Sequence, residues 1–399
     1  MSSSPLSGAV VLLFAIACGL SVANVYYAQP LLDAMADTFA LDHATVGIVI
    51  TLTQIGYGVG LVLLVPLGDL LNRRRLIVGQ LLLSTFTVLL VAFSSNSFLL
   101  LAGMALTGLL AVVTQTLVAF AANLARPEQR GHVVGLVTSG IVVGLLLART
   151  VSGAMADLAG WRSVYLLSAG LTLLMALLLW RVLPATEQPR ATNTYAQLIR
   201  SVFSLFKQEK VLRDRAVLAL LIFAAGTVLW TPLVLPLSAP PLSLSHTQIG
   251  LFGLAGAAGA LGAARAGHLA DRGFAQWTSG GALILMLVAW LAIGFTQSSL
   301  WALLLGVIIF DLGLQAVHVT SQSLIYSVRP EAQSRLAAGY MLFYSVGSAL
   351  GSIGSTMMYA WGGWIGVCGL GAAINLLALI YWLATLGPAP AAHSQPVQG

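Results

Sequence analysis

Twelve times along this chain a run of about 20 apolar residues, the length that crosses a bilayer as a helix, ends in a short polar break. The runs centre near residues 20, 57, 86, 111, 146, 173, 226, 257, 287, 313, 348 and 375. A core surrounded by water cannot absorb that much apolar length. Only 8% of the residues are charged, against roughly 25% in a soluble domain. Membrane β-strands would instead appear as alternating segments of about ten residues, and the sequence has no such series. The expected fold class is an all-α polytopic membrane protein with 12 transmembrane helices.

The formal net charge of +6 raises the question of a polyanionic partner, and the placement of the charges answers it. Threading 12 spans through a membrane puts 16 of the 18 Lys and Arg residues in loops on one side: Arg73, Arg74, Arg75, Arg126, Arg130, the seven in 181–215, Arg265, Arg272, Arg329 and Arg335. Arg162 falls in a loop on the opposite side and Arg149 inside a span. By the positive-inside rule the basic side is cytoplasmic, so both termini are expected in the cytoplasm. The basic balance then reports topology, the partner surface is the lipid bilayer, and no nucleic acid is implied. The start, "MSSSPLSG", lacks a basic region before its apolar run and reads as a first span rather than a cleaved leader. Cys18 and Cys368 lie in the first and last spans and read as separate thiols.

The chain repeats at a period near 203: "LDHATVG" (41–47) aligns with "LSHTQIG" (244–250), "RPE" at 126 recurs at 329, and "GW" at 160 recurs at 363. Such a repeat implies two six-helix bundles, residues 1–183 and 216–386. Between them, 184–215 reads as a cytoplasmic linker. Within it Tyr195, Leu198, Ile199, Val202 and Phe206 share one face of a helix, as in an amphipathic segment lying on the inner membrane surface. The composition of 387–399 is that of a disordered cytoplasmic tail. His43 and His246 read as markers of the repeated outer loop.

Two formal charges lie deep in the apolar runs, Arg149 and Asp311. A charge near the midplane costs about 2.5–3.5 kcal/mol or more, so each must be paired, hydrated or functional. In "FDLGLQAVHVTSQ" (310–322), Asp311, Gln315, His318 and Gln322 are spaced by four, three and four, which keeps them on one helical stripe. A structural reading stands beside the functional one: Asp311 could hold helix 10 to its neighbours, and Arg149 could pair within its own half. The glycines of "GLAGAAGALG" (253–262) follow no strand, so they read as sites of close helix approach rather than a dinucleotide loop. No pattern of metal ligands or catalytic nucleophile appears; enzyme, metal and cofactor are not expected.

The loops "GDLLNRRRL" (68–76) and "GHLADRG" (267–273) resemble the paired signature of the major facilitator superfamily, G-x-L-a-D-R-x-G-R. The 6+6 layout and central linker agree with it. "ANVYYAQPLL", "LLARTVSG" and "DLGLQAVHVTSQ" resemble the drug:proton-antiporter-like branch, which includes multidrug, sugar and nucleoside exporters. Departures are present: Asn72 replaces the acid of the first loop, and Arg149 stands where the branch's fifth-helix proline would be.

The resemblance implies a secondary active transporter of the bacterial inner membrane, acting as a monomer on a small-molecule substrate by alternating access, with proton-coupled export. An uncoupled facilitator or importer is the alternative, and a non-transporting sensor a more distant one. The resemblance also implies a cytoplasmic gate at Gly68, Asp69, Asn72, Arg73, Gly267, Asp271 and Arg272. Helices 1, 4, 7 and 10 would line a central cavity, giving as candidates Asn24, Tyr27, Gln29, Gln115, Trp230, Gln315, His318 and Gln322, joined by Gln54 and Tyr57 of helix 2. Asp311, Arg149 and Asp33 are the proton-coupling candidates.

Overall fold

A computed structural model describes residues 8–126, 129–184, 194–262, 266, 269–329 and 333–386. Every regular element among them is helical. Ten helical stretches are long and apolar enough to cross a membrane, and two particulars raise the number of crossings to 12. Residues 335–385 form one stretch of 51 residues, far beyond the need of one crossing, and it breaks at Gly363, whose φ of 59° and ψ of −158° no helix contains. It therefore supplies spans 11 and 12. Span 8 is the helix His246–Gly262, whose 17 residues sit just under the usual length.

The other spans follow in order. Span 1 is Gly8–Tyr26 continued by Leu32–Phe39, span 2 Ile48–Leu63, span 3 Arg73–Ala92, and span 4 Ser97–Ala111 with Val113–Leu124. Spans 5 and 6 are Arg130–Ala159 and Arg162–Val182; spans 7, 9 and 10 are Lys210–Trp230, Ala275–Gly294 and Leu300–Val328. The turn Gln29–Leu31 interrupts span 1, where Pro30 removes a backbone donor from the ladder.

Small residues set how closely the spans approach. A Cβ on Gly140 would run into the backbone of Ala15, and one on Gly144 into Gly19, which locks span 5 to span 1. Gly347 and Gly351 do the same for span 11 against span 7, at Leu220 and Ala224. Lipid tails give helices no hydrophobic reason to associate, so this intimate contact supplies much of the cohesion.

The two sets of six spans meet along spans 2 with 11 and 5 with 8. Thr51 donates to the carbonyl of Ala349 (2.9 Å), Ser352 to Gly47 (3.0 Å), Thr356 to Ala44 (3.1 Å) and Thr150 to Gly250 (3.0 Å). Among the described residues, the hydrogen bonds between spans 1–6 and spans 7–12 lie at the level of Gln54 or nearer the arginine-poor ends. These bonds hold the two sets together on the arginine-poor side, and Leu61, Leu64 and Val65 pack with Met341 and Tyr344 nearer the arginine-rich side.

The linker helix, Tyr195–Gln208, begins with a capping box in which Thr194 and Gln197 satisfy each other's backbone donors. Its apolar face is not left to the membrane surface alone, as its pattern implied. Leu205 is buried with Leu212, Leu336 and Tyr340, and Phe206 meets Phe343 with ring centroids 5.3 Å apart. At its other end the Tyr195 hydroxyl donates to the carbonyl of Leu63 (2.7 Å). The linker is clamped onto spans 2, 7 and 11.

Candidate functional site

A cavity of about 550 Å³, its open mouth included, lies where the two sets of spans converge. Its polar lining comes from Gln29 on span 1, Gln54 on span 2, Arg149 on span 5, and Asp311 and Gln315 on span 10; Tyr26, Trp230 and Tyr344 supply aromatic surface. Both membrane-embedded charges therefore open onto one space.

They meet through a third residue. The Arg149 guanidinium lies 3.9 Å from the ring centre of Trp230, over its face, and the Trp230 Nε1–H donates to Asp311 Oδ1 at 3.3 Å. An indole offers a negative face to a cation and a positive N–H edge to an anion, so one side chain serves both charges and keeps them from closing into a direct ion pair. The Arg149 Nε–H donates to Gln29 Oε1 at 2.8 Å, and the Tyr26 ring centre lies 5.4 Å from the guanidinium.

Span 8 makes room for this arrangement. A Cβ on Gly256 would overlap Asp311 Oδ2 and stand 3.1 Å from Trp230; one on Gly253 would stand 2.9 Å from the Arg149 Cβ. The glycine run of 253–262 thus packs helices closely, and it does so where the two charges sit. Gln54 Oε1 is buried and has no hydrogen-bond partner among the described residues. The Tyr26 and Tyr344 hydroxyls, 2.5 Å apart, join the two sets of spans beside it.

The structure redistributes several expected site residues. Asn24 is buried between spans 1 and 6, its Oδ1 accepting from the Ser168 hydroxyl. Tyr27 packs edge-on against Tyr165 in the same layer. One step along a helix is 100° of rotation, so Tyr26, rather than Tyr27, reaches the cavity together with Gln29. Tyr57 does not line the cavity either; its ring meets Tyr344 edge-on, and its hydroxyl accepts from Gln115 Nε2 at 3.4 Å. Span 4 contributes none of the lining residues, whereas spans 2, 5, 8 and 11 do. The span 10 stripe divides: Asp311 and Gln315 line the cavity, while His318 faces Tyr340, its Nδ1 3.0 Å from the hydroxyl. His318 and Gln322 are half-buried on the arginine-rich side of the cavity.

The expected gate is only partly within view. Asn72 caps span 3, its Oδ1 accepting from the backbone N–H of Arg75 at 3.2 Å, and the Arg73 Nε–H donates to the carbonyl of Gly68 at 3.0 Å. Arg272 is exposed in a turn that Gly273 reverses at φ 86°. Gly267 lies outside the described residues, as do the side chains of Asp69 and Asp271.

Asp33 stands at the arginine-poor rim and has a partner that sequence reasoning passed over. Its Oδ1 is 3.0 Å from Nε2 of His246, while Nδ1 of the same ring is 3.2 Å from Oδ1 of Asp157. The repeat explained His246 as a loop marker, and no local motif joins residues 33, 157 and 246. Tyr344 was equally hidden, because an aromatic in an apolar run carries no sign of which way it faces.

The chain is similar to known proteins in both sequence and fold. The sequence model for the Major Facilitator Superfamily matches residues 12–340 and again 242–399. An Escherichia coli protein described as the putative uncharacterized transporter YgaY is 49% identical, the match covering 94% of this chain and 95% of that one. A probable sugar efflux transporter of Helicobacter pylori is 24% identical over 88% of each chain. Among solved structures, a bacterial homologue of the human lysosomal transporter Spinster superposes with a TM-score of 0.79 at 15% identity, covering 98% of this chain and all of that one. The human organic anion transporter MFSD10 superposes with a TM-score of 0.66 at 17% identity, covering 95% of this chain and all of that one.

Proposed function

The chain belongs to the major facilitator superfamily of membrane transporters, and from that premise we propose that it exports a small organic solute in exchange for protons by alternating access. The observation that carries this reading is the joint presence of Asp311, Trp230 and Arg149 on one cavity between the two sets of spans. A proton drives a conformational cycle only by binding one state better than another. Asp311 is suited to that role because its carboxylate is held by an indole N–H and a cation stacks on the same indole. Both contacts depend on how spans 5, 7 and 10 sit relative to one another. Rocking the two sets of spans moves Arg149, on span 5, away from Trp230 and Asp311, and so changes the field at the carboxylate.

The solute reading rests on the lining. Three glutamines supply paired donors and acceptors, and Trp230, Tyr26 and Tyr344 supply flat apolar faces. That combination fits an uncharged or weakly charged, partly apolar molecule, a sugar or nucleoside above all. The names of the Helicobacter relatives agree with a sugar. The drug:proton-antiporter-like branch is the placement this reading entails. By the positive-inside rule the arginine-rich side faces the cytoplasm of a bacterial inner membrane, so the convergence on the opposite side leaves this state closed to the outside.

The test begins with thermal denaturation of the purified protein against monosaccharides, nucleosides and lipophilic dyes. A stabilising compound is then followed in proteoliposomes. Imposing a pH gradient is expected to raise its initial flux at least tenfold; equal flux with and without the gradient would support the uncoupled facilitator instead.

A further inference from the structure

We propose that His246, Asp33 and Asp157 form a second proton-binding site, at the arginine-poor mouth, and that binding a proton there holds this mouth shut. The inference goes beyond the coupling assigned to Asp311 and rests on alternating access alone.

The geometry is specific. Asp33 belongs to span 1 and Asp157 to span 5, whereas His246 opens span 8, so the cluster bridges the two sets of spans. Both ring nitrogens face carboxylate oxygens, at 3.0 and 3.2 Å. An ionised carboxylate only accepts, and a neutral imidazole has one N–H to give, whereas the imidazolium has two. Only the protonated ring satisfies both acids. A neutral ring turns a lone pair toward one of them.

The cluster is also anchored by backbone. Asp157 Oδ1 accepts from the His246 N–H at 3.2 Å and Oδ2 from the Thr247 N–H at 2.7 Å, so a carboxylate of span 5 caps span 8 across the interface. Asp33 Oδ1 also accepts from the Ala34 N–H at 2.8 Å. Gly153 permits the approach, since a Cβ there would overlap the carbonyl of His246.

Among the described residues, Asp33 and Asp157 are the charges that act on the ring, and Asp37, one turn beyond Asp33, is exposed to solvent. The helix Val234–Ser238 and the turn Gln29–Leu31, both packed on span 8, carry no ionisable side chain. On span 5, Arg149 is engaged by Gln29 and Trp230. On span 10, Asp311 lies against Gly256, ten residues and roughly 15 Å along the helix from His246. The ring therefore answers to Asp33 and Asp157.

When spans 7–12 swing away, His246 leaves both carboxylates and all three groups meet water. The closed mouth then binds the proton more tightly than the open one, so protonation favours closure. Closure is fully supported at low pH and lost as pH rises through the histidine range. Each tenfold difference in proton affinity between the two states changes the closed-to-open ratio tenfold across that range.

The test places spin labels at Ala159 and Gln297, both exposed on the arginine-poor side, with Cys18 and Cys368 replaced by serine. Pulsed dipolar distances are read at about pH 5.5 and about pH 8.5, either side of the ordinary histidine value. The closed-to-open ratio of the otherwise native protein is expected to fall roughly tenfold or more across that interval. His246→Gln should move it less than about twofold, and Asp33→Asn, which loses one acceptor but keeps the ring, should give an intermediate fall. Repeating the series in an Asp311→Asn background separates this site from the cavity, and there the response must persist. A ratio indifferent to pH in the native protein, an unaltered response in His246→Gln, or loss of the response in Asp311→Asn alone would each overturn the proposal.

Discussion

At the scale of single residues, the proposed mechanism turns on how one indole contacts two opposite charges. Arg149→Lys tests this directly. An ammonium is a point charge on a flexible stem, without the planar fork that lets a guanidinium lie over Trp230 while its Nε–H reaches Gln29. Loss of a hydrogen bond to a charged group costs about 1.5–3 kcal/mol, so gradient-driven flux should fall at least tenfold while the protein still inserts. Flux within twofold of the native rate would mean that only the charge matters. Asp311 and Arg149 were legible in the sequence because a charge among apolar residues announces itself. Neighbours without charge were not: choosing between Tyr26 and Tyr27 needs a helix phase that an almost uniformly apolar segment does not reveal. His246 was missed for another reason. Its significance lies in Asp33 and Asp157, 213 and 89 residues away, and no spacing rule reaches that far.

At the scale of elements, span 8 and the linker helix make separable predictions. Gly256→Ala drives a methyl group into Asp311 Oδ2, whereas Gly281 and Gly294 of span 9 have nothing within 4 Å of such a methyl. Overpacking costs about 1–3 kcal/mol. Gly256→Ala should therefore lower transport at least tenfold, with Gly281→Ala and Gly294→Ala close to native; equal behaviour of the three would remove the glycine from the site. For the linker, Phe206→Ala removes the ring that meets Phe343 and Gly339. At about 25 cal/mol per Å² of apolar surface the loss is of order 1–2 kcal/mol, read as a lower melting temperature in detergent, and an unchanged value would leave the linker a tether. The amphipathic pattern of Tyr195–Gln208 was plain from sequence; its docking on Leu336 and Tyr340 was not, because an apolar face fits a lipid surface and a protein surface alike.

At the scale of the whole molecule, run length and charge placement carried the fold. Twelve crossings follow from apolar runs interrupted alternately by basic loops and by polar loops almost free of Lys and Arg, and the helix of 53 residues, Gln333–Thr385, divides at Gly363 where the repeated "GW" stands. The lining could not be assigned the same way, since which spans face a cavity depends on the state the molecule occupies. In this state spans 5 and 8 meet at Arg149, Gly250 and Gly253 and help to wall the site. The proposed orientation predicts that single cysteines at Ser95 and Gln297 react with an impermeant thiol reagent in intact cells, while cysteines at Arg75 and Lys207 do not; the reverse pattern would invert the assignment of inside and outside. On the proposed mechanism, a proton taken up at Asp311 drives solute movement. The most direct measurement is uphill accumulation in proteoliposomes bearing an imposed pH gradient, comparing the native protein with Asp311→Asn and following binding of the same solute to both. Accumulation is expected of the native protein and not of Asp311→Asn, with binding retained within a few-fold. Accumulation by Asp311→Asn at the native rate would contradict the mechanism.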